Sequence, residues 1–155
     1  MMTTTQTRTH QIAASLIDQF DRVWQTLRSA LSRLDEEQFH AGDIDFLTPR
    51  NLAYHTVETA DFYSSEGPPD TFAWGHFKAE SKQDMLRYAD EVQAKVRRWC
   101  QGQADDQWLT EQSQWKWTGR TVLDRALYNL RHTQHHTAQI NAELRRRGLP
   151  RGEWH

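Results

Sequence analysis

Three of the chain's eight histidines, His132, His135 and His136, fall within five residues of one another. On a helix each residue turns by about 100°, so His132 and His136 project from one face a turn apart, while His135 points about 100° away from His136. Two imidazoles at this spacing can reach one divalent ion. The spacing also fits a solvated face that carries histidine by chance, or a polar edge whose imidazoles hydrogen-bond to neighbouring helices. A metal site requires a further ligand from a facing element. His55, in the run Asn51 to Glu58, is the only other histidine expected inside a helix; His10 falls at a helix start, His40 and His76 in links, and His155 at the end of the sequence. Taken alone, His55 also fits a hydrogen-bonded groove residue. Taken with His132 and His136, it completes three neutral nitrogen ligands. Three ligands with an open position is the pattern of a catalytic zinc-type site, whereas structural zinc sites close with four. Imidazole serves zinc, nickel and iron alike, so the pattern does not choose the ion.

Two more residues stand one turn from these ligands. Glu58 follows His55, and Gln139 follows His136. Either is a candidate catalytic group, to orient a ligand or move a proton; Glu58 also fits an ordinary exposed helix carboxylate. No Gly-rich phosphate loop, Cys-x-x-Cys pair, Gly-x-Ser-x-Gly elbow or paired Glu-x-x-His is present. The single cysteine, Cys100, has no histidine beside it and reads as a small packing residue.

The elements that must position these residues follow from hydrophobic period and caps. Ile12, Leu16, Phe20, Val23, Leu27, Leu31 and Leu34 step by three or four and predict a first helix over about 9–34. Residues 35–47 are polar and read as a connection. Thr48-Pro49 supplies a cap and a first-turn proline, starting a second helix that reaches about Ser64 before Gly67-Pro68-Pro69 ends it. Residues 70–80 read as a loop containing Phe72, Trp74 and Phe77. Ser81 with Asp84 opens a third helix to about Cys100, carrying Met85, Tyr88, Ala89, Val92, Val96 and Trp99. Between 103 and 119, Trp108, Leu109, Trp115 and Trp117 sit among polar residues, and Gln114 to Thr118 alternates, which suggests a short hairpin. Thr121 with Asp124 opens a fourth helix to about Arg147, stopped by Gly148-Leu149-Pro150. Its arginine run at 145–147 suits the negative end of the helix dipole. On that helix Leu123, Ala126, Leu127, Leu130, Ile140 and Leu144 form the apolar stripe, and His132 and His136 lie roughly 120–180° from it, on a wet or partly wet edge. Four such helices in 155 residues predict a single all-α domain, a four-helix bundle with long connections.

Composition sets outer bounds. A formal net charge of −2 with no basic aromatic groove argues against nucleic acid. The mean hydropathy is −0.90 and apolar runs are only a few residues long, so no membrane span is expected. The Thr-rich stretch from Met1 to His10 lacks the apolar core of a secretory signal. One cysteine excludes an intramolecular disulfide and fits a cytoplasmic setting. Seven tryptophans in so hydrophilic a chain are unusual and suit a pocket or an interface.

A histidine soon after a Thr-Pro helix start, followed by His132-Thr-Gln-His-His136-Thr-Ala-Gln-Ile and then Leu144-Arg-Arg-Arg-Gly148, resembles the DinB-like (damage-inducible) metal-binding four-helix bundles over about residues 10–150. The resemblance implies an up-down-down-up bundle, often a homodimer, with His55, His132 and His136 binding a divalent ion, commonly zinc or nickel. Related bundles include S-transferases and isomerases that use low-molecular-weight thiols. The leading expectation is therefore a metal-dependent enzyme acting on a small molecule, best described as a thiol-dependent S-transferase. Metal-dependent hydrolysis, or a non-enzymatic metal- or ligand-binding module with the Trp-rich segment 108–117 facing its partner, are the alternatives.

Overall fold

The computed structural model describes residues 9–155. The Thr-rich stretch read for the absence of a secretory signal lies almost wholly outside the described residues. Four long helices form the body: α1 (Gln11–Ser32), α3 (Pro49–Tyr63), α4 (Lys82–Gln101) and α5 (Val122–Arg146). A short helix, α2 (Glu36–His40), lies in the first link, where sequence suggested only a connection. Asp35 starts it with a reciprocal cap: its carboxylate accepts from Gln38 N–H, and the Gln38 side chain accepts from Asp35 N–H. The buried ring of Phe39 anchors it to the core.

Each long helix downstream begins where its cap is written. Thr48 Oγ1 accepts from Asn51 N–H at 3.2 Å, and Pro49 occupies the first turn. Ser81 with Asp84, and Thr121 with Asp124, form capping boxes. The apolar faces of α1 and α4 bury as their spacing predicts, from Leu16 to Leu31 and from Met85 to Trp99.

Side-chain pairings set the topology. Arg28 meets Asp90 and Asp21 meets Gln93, so α1 and α4 run antiparallel. Tyr54 stands against Tyr88, and Asp61 meets Lys95, so α3 and α4 run parallel. Asn129 reaches Ala60 and Arg125 reaches Tyr63, while His136 meets His55, so α3 and α5 run antiparallel. The order is up-down-down-up. α1 packs on α4 and α5, and α3 packs on the same two, so α1 and α3 sit diagonally. No described helix is long and apolar enough to cross a membrane.

Two expectations are corrected. The segment before α5 is not a hairpin: among the described residues no strand forms, and the backbone meets itself only at one antiparallel bridge, Glu111 with Thr121. Residues Lys116–Thr118 coil into a 3-10 turn instead. The alternation there arises because Trp115 is buried and Trp117 half-exposed on an aromatic cluster, which imitates a pleat. The apolar stripe of α5 is also displaced. Leu127 is exposed, and the buried face runs through Ala126, Asn129, Thr133, Thr137, Ile140 and Leu144. Hydroxyls and one amide thus occupy positions that hydrophobicity alone assigns to solvent.

Gly119 controls how the chain enters α5. Its φ of +133° is a backbone state suited to glycine, and a Cβ there would lie 2.3 Å from Asp124 Cβ, in the capping box. Gly119→Ala is expected to cost roughly 2 kcal/mol or more in a urea titration, from strain plus a lost cap. Gly75→Ala, also at positive φ but with open space around it, is expected to cost less.

Candidate metal centre

The histidines meet across α3 and α5 because the seam between those helices is lined by small residues. Ala53, Thr56 and Ala60 on α3 and Ala126, Thr133 and Thr137 on α5 are all fully buried. Each threonine hydroxyl returns to the carbonyl one turn back: Thr56 to Leu52 at 2.6 Å, Thr133 to Asn129 at 2.9 Å and Thr137 to Thr133 at 2.8 Å. The seam is therefore polar in composition yet leaves no hydroxyl unpaired.

At its rim the rings of His55, His132 and His136 converge. Their centroids are 5.3 Å apart for His55–His132, 4.5 Å for His55–His136 and 4.4 Å for His132–His136. One nitrogen from each lies within 4.8 Å of the others. His135 remains outside this set, on the exposed side of α5.

Hydrogen bonds fix two of the three tautomers. The Thr59 hydroxyl donates to the His55 carbonyl at 2.6 Å, which leaves Oγ1 to accept from His132 Nδ1–H at 3.2 Å. His136 Nδ1–H donates to Gln139 Oε1 at 2.6 Å. Both protons thus sit on Nδ1, and the two Nε2 atoms face each other at 3.1 Å as bare acceptors. Two lone pairs so placed repel unless a cation lies between them. Two nitrogens about 2.0–2.1 Å from one tetrahedral ion would be roughly 3.3 Å apart. The His132 and His136 nitrogens therefore fit a divalent ion in both chemistry and spacing. His55, the exposed member, has no ring hydrogen bond among the described residues and is free to adjust.

Electrostatics favour the same protonation state. Burial, reinforced by His136 and His55, pushes His132 down to about 4. Burial also lowers His55 and His136, against smaller upward pulls from Glu58 and Gln139 respectively. Neutral imidazole is the form that ligates.

The centre opens onto a cleft of about 600 Å³ walled by Asp45, Phe46, Leu47, Asn51, Leu52 and Gln139. The turn Asp45–Leu47 is held by Asn51, whose side-chain N–H donates to the Asp45 carbonyl at 2.7 Å. Apart from Gln139, the sequence does not point to these wall residues; the available signal is the apolar Phe46-Leu47 pair in an otherwise polar link. Of the two predicted proton-moving or orienting residues, Gln139 stands in the centre itself. Glu58 uses Oε1 to accept from Gly75 N–H at 2.5 Å and from the Tyr54 hydroxyl at 3.3 Å, tying α3 to the following loop. Beyond His132 the seam continues into aromatic residues: Tyr63 lies 5.9 Å from the imidazole and Tyr128 6.2 Å, nearly parallel to it.

The molecule is thus an all-α bundle with a three-histidine cluster at an open rim. The family model described as the DinB superfamily matches residues 19–140, from within α1 to near the end of α5, and the chain belongs to that superfamily. No curated protein shows a significant match to the chain.

The lowered histidines give a pH dependence of definite sign. As pH falls below about 6.5 the unfolded chain takes up protons that the fold resists. Metal-free protein should keep full stability above that pH and lose it progressively toward pH 4, through His132 last. Urea midpoints at pH 7.5 and 5.0 test this; the drop should be smaller in His132→Ala, and an unchanged wild-type midpoint would contradict it.

Proposed function

We propose that the chain is a metal-dependent enzyme that holds a divalent ion, zinc or nickel, through His55, His132 and His136, and that it transfers a low-molecular-weight thiol to a small electrophilic substrate. One observation carries the reading: three imidazole nitrogens within 4.8 Å of one another, at the edge of an open cleft, with no fourth metal-binding side chain in the set among the described residues. Membership in a superfamily whose bundles are generally metal-binding supports it. When bound, the ion supplies Lewis acidity that lowers the pKa of a thiol or water in its open position.

The protein's own groups then have distinct tasks. Thr59 and Gln139 keep the His132 and His136 protons on Nδ1, so both Nε2 atoms stay available. Gln139 accepts through Oε1, leaving its amide N–H groups for a ligand in the cleft. Glu58, anchored through Oε1 and close enough to His55 to favour the charged imidazole, keeps Oε2 as a proton acceptor. Phe46, Leu47 and Leu52 give the cleft an apolar wall.

Protein purified without chelator should carry about one divalent ion per chain, and His132→Ala should carry little. Wild-type content below about 0.2 ion per chain would end the proposal. A panel of small thiols with a chlorinated nitroaromatic acceptor then reads the reaction. Thiol-dependent turnover should fall at least about tenfold in His136→Ala and about tenfold in Gln139→Leu. Turnover without thiol would reassign the centre to hydrolysis, and metal binding without turnover would favour a binding module.

A further inference from the structure

The aromatic residues beyond His132 are arranged around a single ring. Phe62, itself buried, has Tyr63, Phe72, Trp74 and Trp115 at centroid distances of 4.7–5.3 Å, with Trp117 at 6.3 Å and nearly parallel. Most of this cluster is closed, but Trp74 and Trp117 are 54% and 51% exposed. They arrive from different loops, one before α4 and one before α5, and both rest on the same floor. Large indoles left half in water by two separate segments make an open apolar surface that a monomer's core does not need.

Their placement is enforced. Beside Trp74, Gly75 N–H is bonded to Glu58 on α3. Trp117 sits in the 3-10 turn Lys116–Thr118, where the Thr118 hydroxyl donates to the Trp115 carbonyl at 2.7 Å and accepts from Gln112 Nε2 at 2.9 Å. Rings fixed in this way lose little freedom when a ligand arrives. Phe62 follows His55 by seven residues, about 20° off the same helical line and about 10 Å along the axis. Tyr63 lies 5.0 Å from Phe62 and 5.9 Å from the His132 ring, so the aromatic cluster adjoins the histidines.

Charge narrows the ligand. Lys95, 5.7 Å from the Phe72 ring centroid, is paired with Asp61, whereas the Arg125 guanidinium lies 3.7 Å from the centroid of Trp115. Arg125 is buried and, among the described residues, bonds only to the carbonyls of Tyr63 and Ser65, with no carboxylate paired to it. A cationic ligand would meet like charge at the cluster, while a flat, electron-poor ring would find indole faces.

We propose that Trp74 and Trp117, over Phe62, form a subsite for an uncharged planar aromatic group of the substrate, whose reacting end lies at the histidine centre. The connection to the centre rests on the function proposed above; the subsite itself does not. Calorimetric titration of the full chain with 1,3-dinitrobenzene, without thiol, tests the subsite. One saturable site is expected. Trp74→Ala and Trp117→Ala should each weaken binding roughly three- to tenfold, and Trp74→Phe and Trp117→Phe should recover most of it. Trp154→Ala, which removes an exposed indole on the C-terminal segment, should leave binding unchanged. Absence of saturable binding, or wild-type affinity in both alanine variants, overturns the subsite, and the phenylalanine variants decide the matter if an alanine variant fails to fold. In cobalt-loaded protein the bound probe's proton lines should broaden relative to zinc-loaded protein. Binding without broadening overturns its connection to the histidines. Failure to take up cobalt counts against the metal proposal alone, and the titration still decides the subsite.

Discussion

The close, hydroxylated seam between α3 and α5 is the constraint on which the rest depends. Leucines there would give more hydrophobic stabilisation, about 25 cal/mol per Å² of added apolar burial, but would push the helices apart. Alanine and threonine let two backbones approach until side chains as short as imidazole meet across the gap. The cost is several buried polar groups. It is offset because Thr56, Thr133 and Thr137 satisfy themselves within their own helices, while Asn129 spans to the Ala60 carbonyl at 3.3 Å. Arg125 finishes the seam by donating to the carbonyls of Tyr63 and Ser65, where the negative end of the α3 dipole favours a cation.

A second buried polar cluster fixes the other side of α3. Asp61 is nearly inaccessible, yet its carboxylate accepts from Tyr88 at 2.8 Å and pairs with Lys95 and His76. A carboxylate taken out of water alone would be strongly destabilising, and these donors compensate it. Burial, reinforced by Asp61, raises the Tyr88 phenol far above its usual range. α3 is thus set by Asn129 and Arg125 against α5, and by an ion pair against α4.

What sequence reveals here follows from what is local. Caps at Thr48, Ser81 and Thr121 and the leucine ladder of α1 were legible because each acts within a turn or two. The proximity of His55 to His132 and His136 was legible through helical spacing and the need for a facing ligand. The buried face of α5 was misread because Thr133 and Thr137 count as polar on any hydropathy scale, although intrahelical bonding makes them small core residues. The cleft wall at Asp45–Leu47 and the fold of 103–119 were hidden for a different reason: both depend on long-range partners, such as Asn51 for the first and Phe62 for the Trp115–Trp117 rings.

The diagonal placement of α1 and α3 also governs how this molecule comes into being. Of the long helices, α3 and α4 are the consecutive pair that packs extensively; α1 packs mainly on α4 and α5, and α3 also packs on α5. Contacts therefore join segments separated by tens of residues, which is non-local pairing for an all-helical chain. Loop-closure entropy must be met before those contacts give any return, so folding should be slow for a helical bundle and should pass through states in which separate helices already exist. The histidine cluster joins a local pair on α5 to His55 on α3, so it is complete only once those two helices dock.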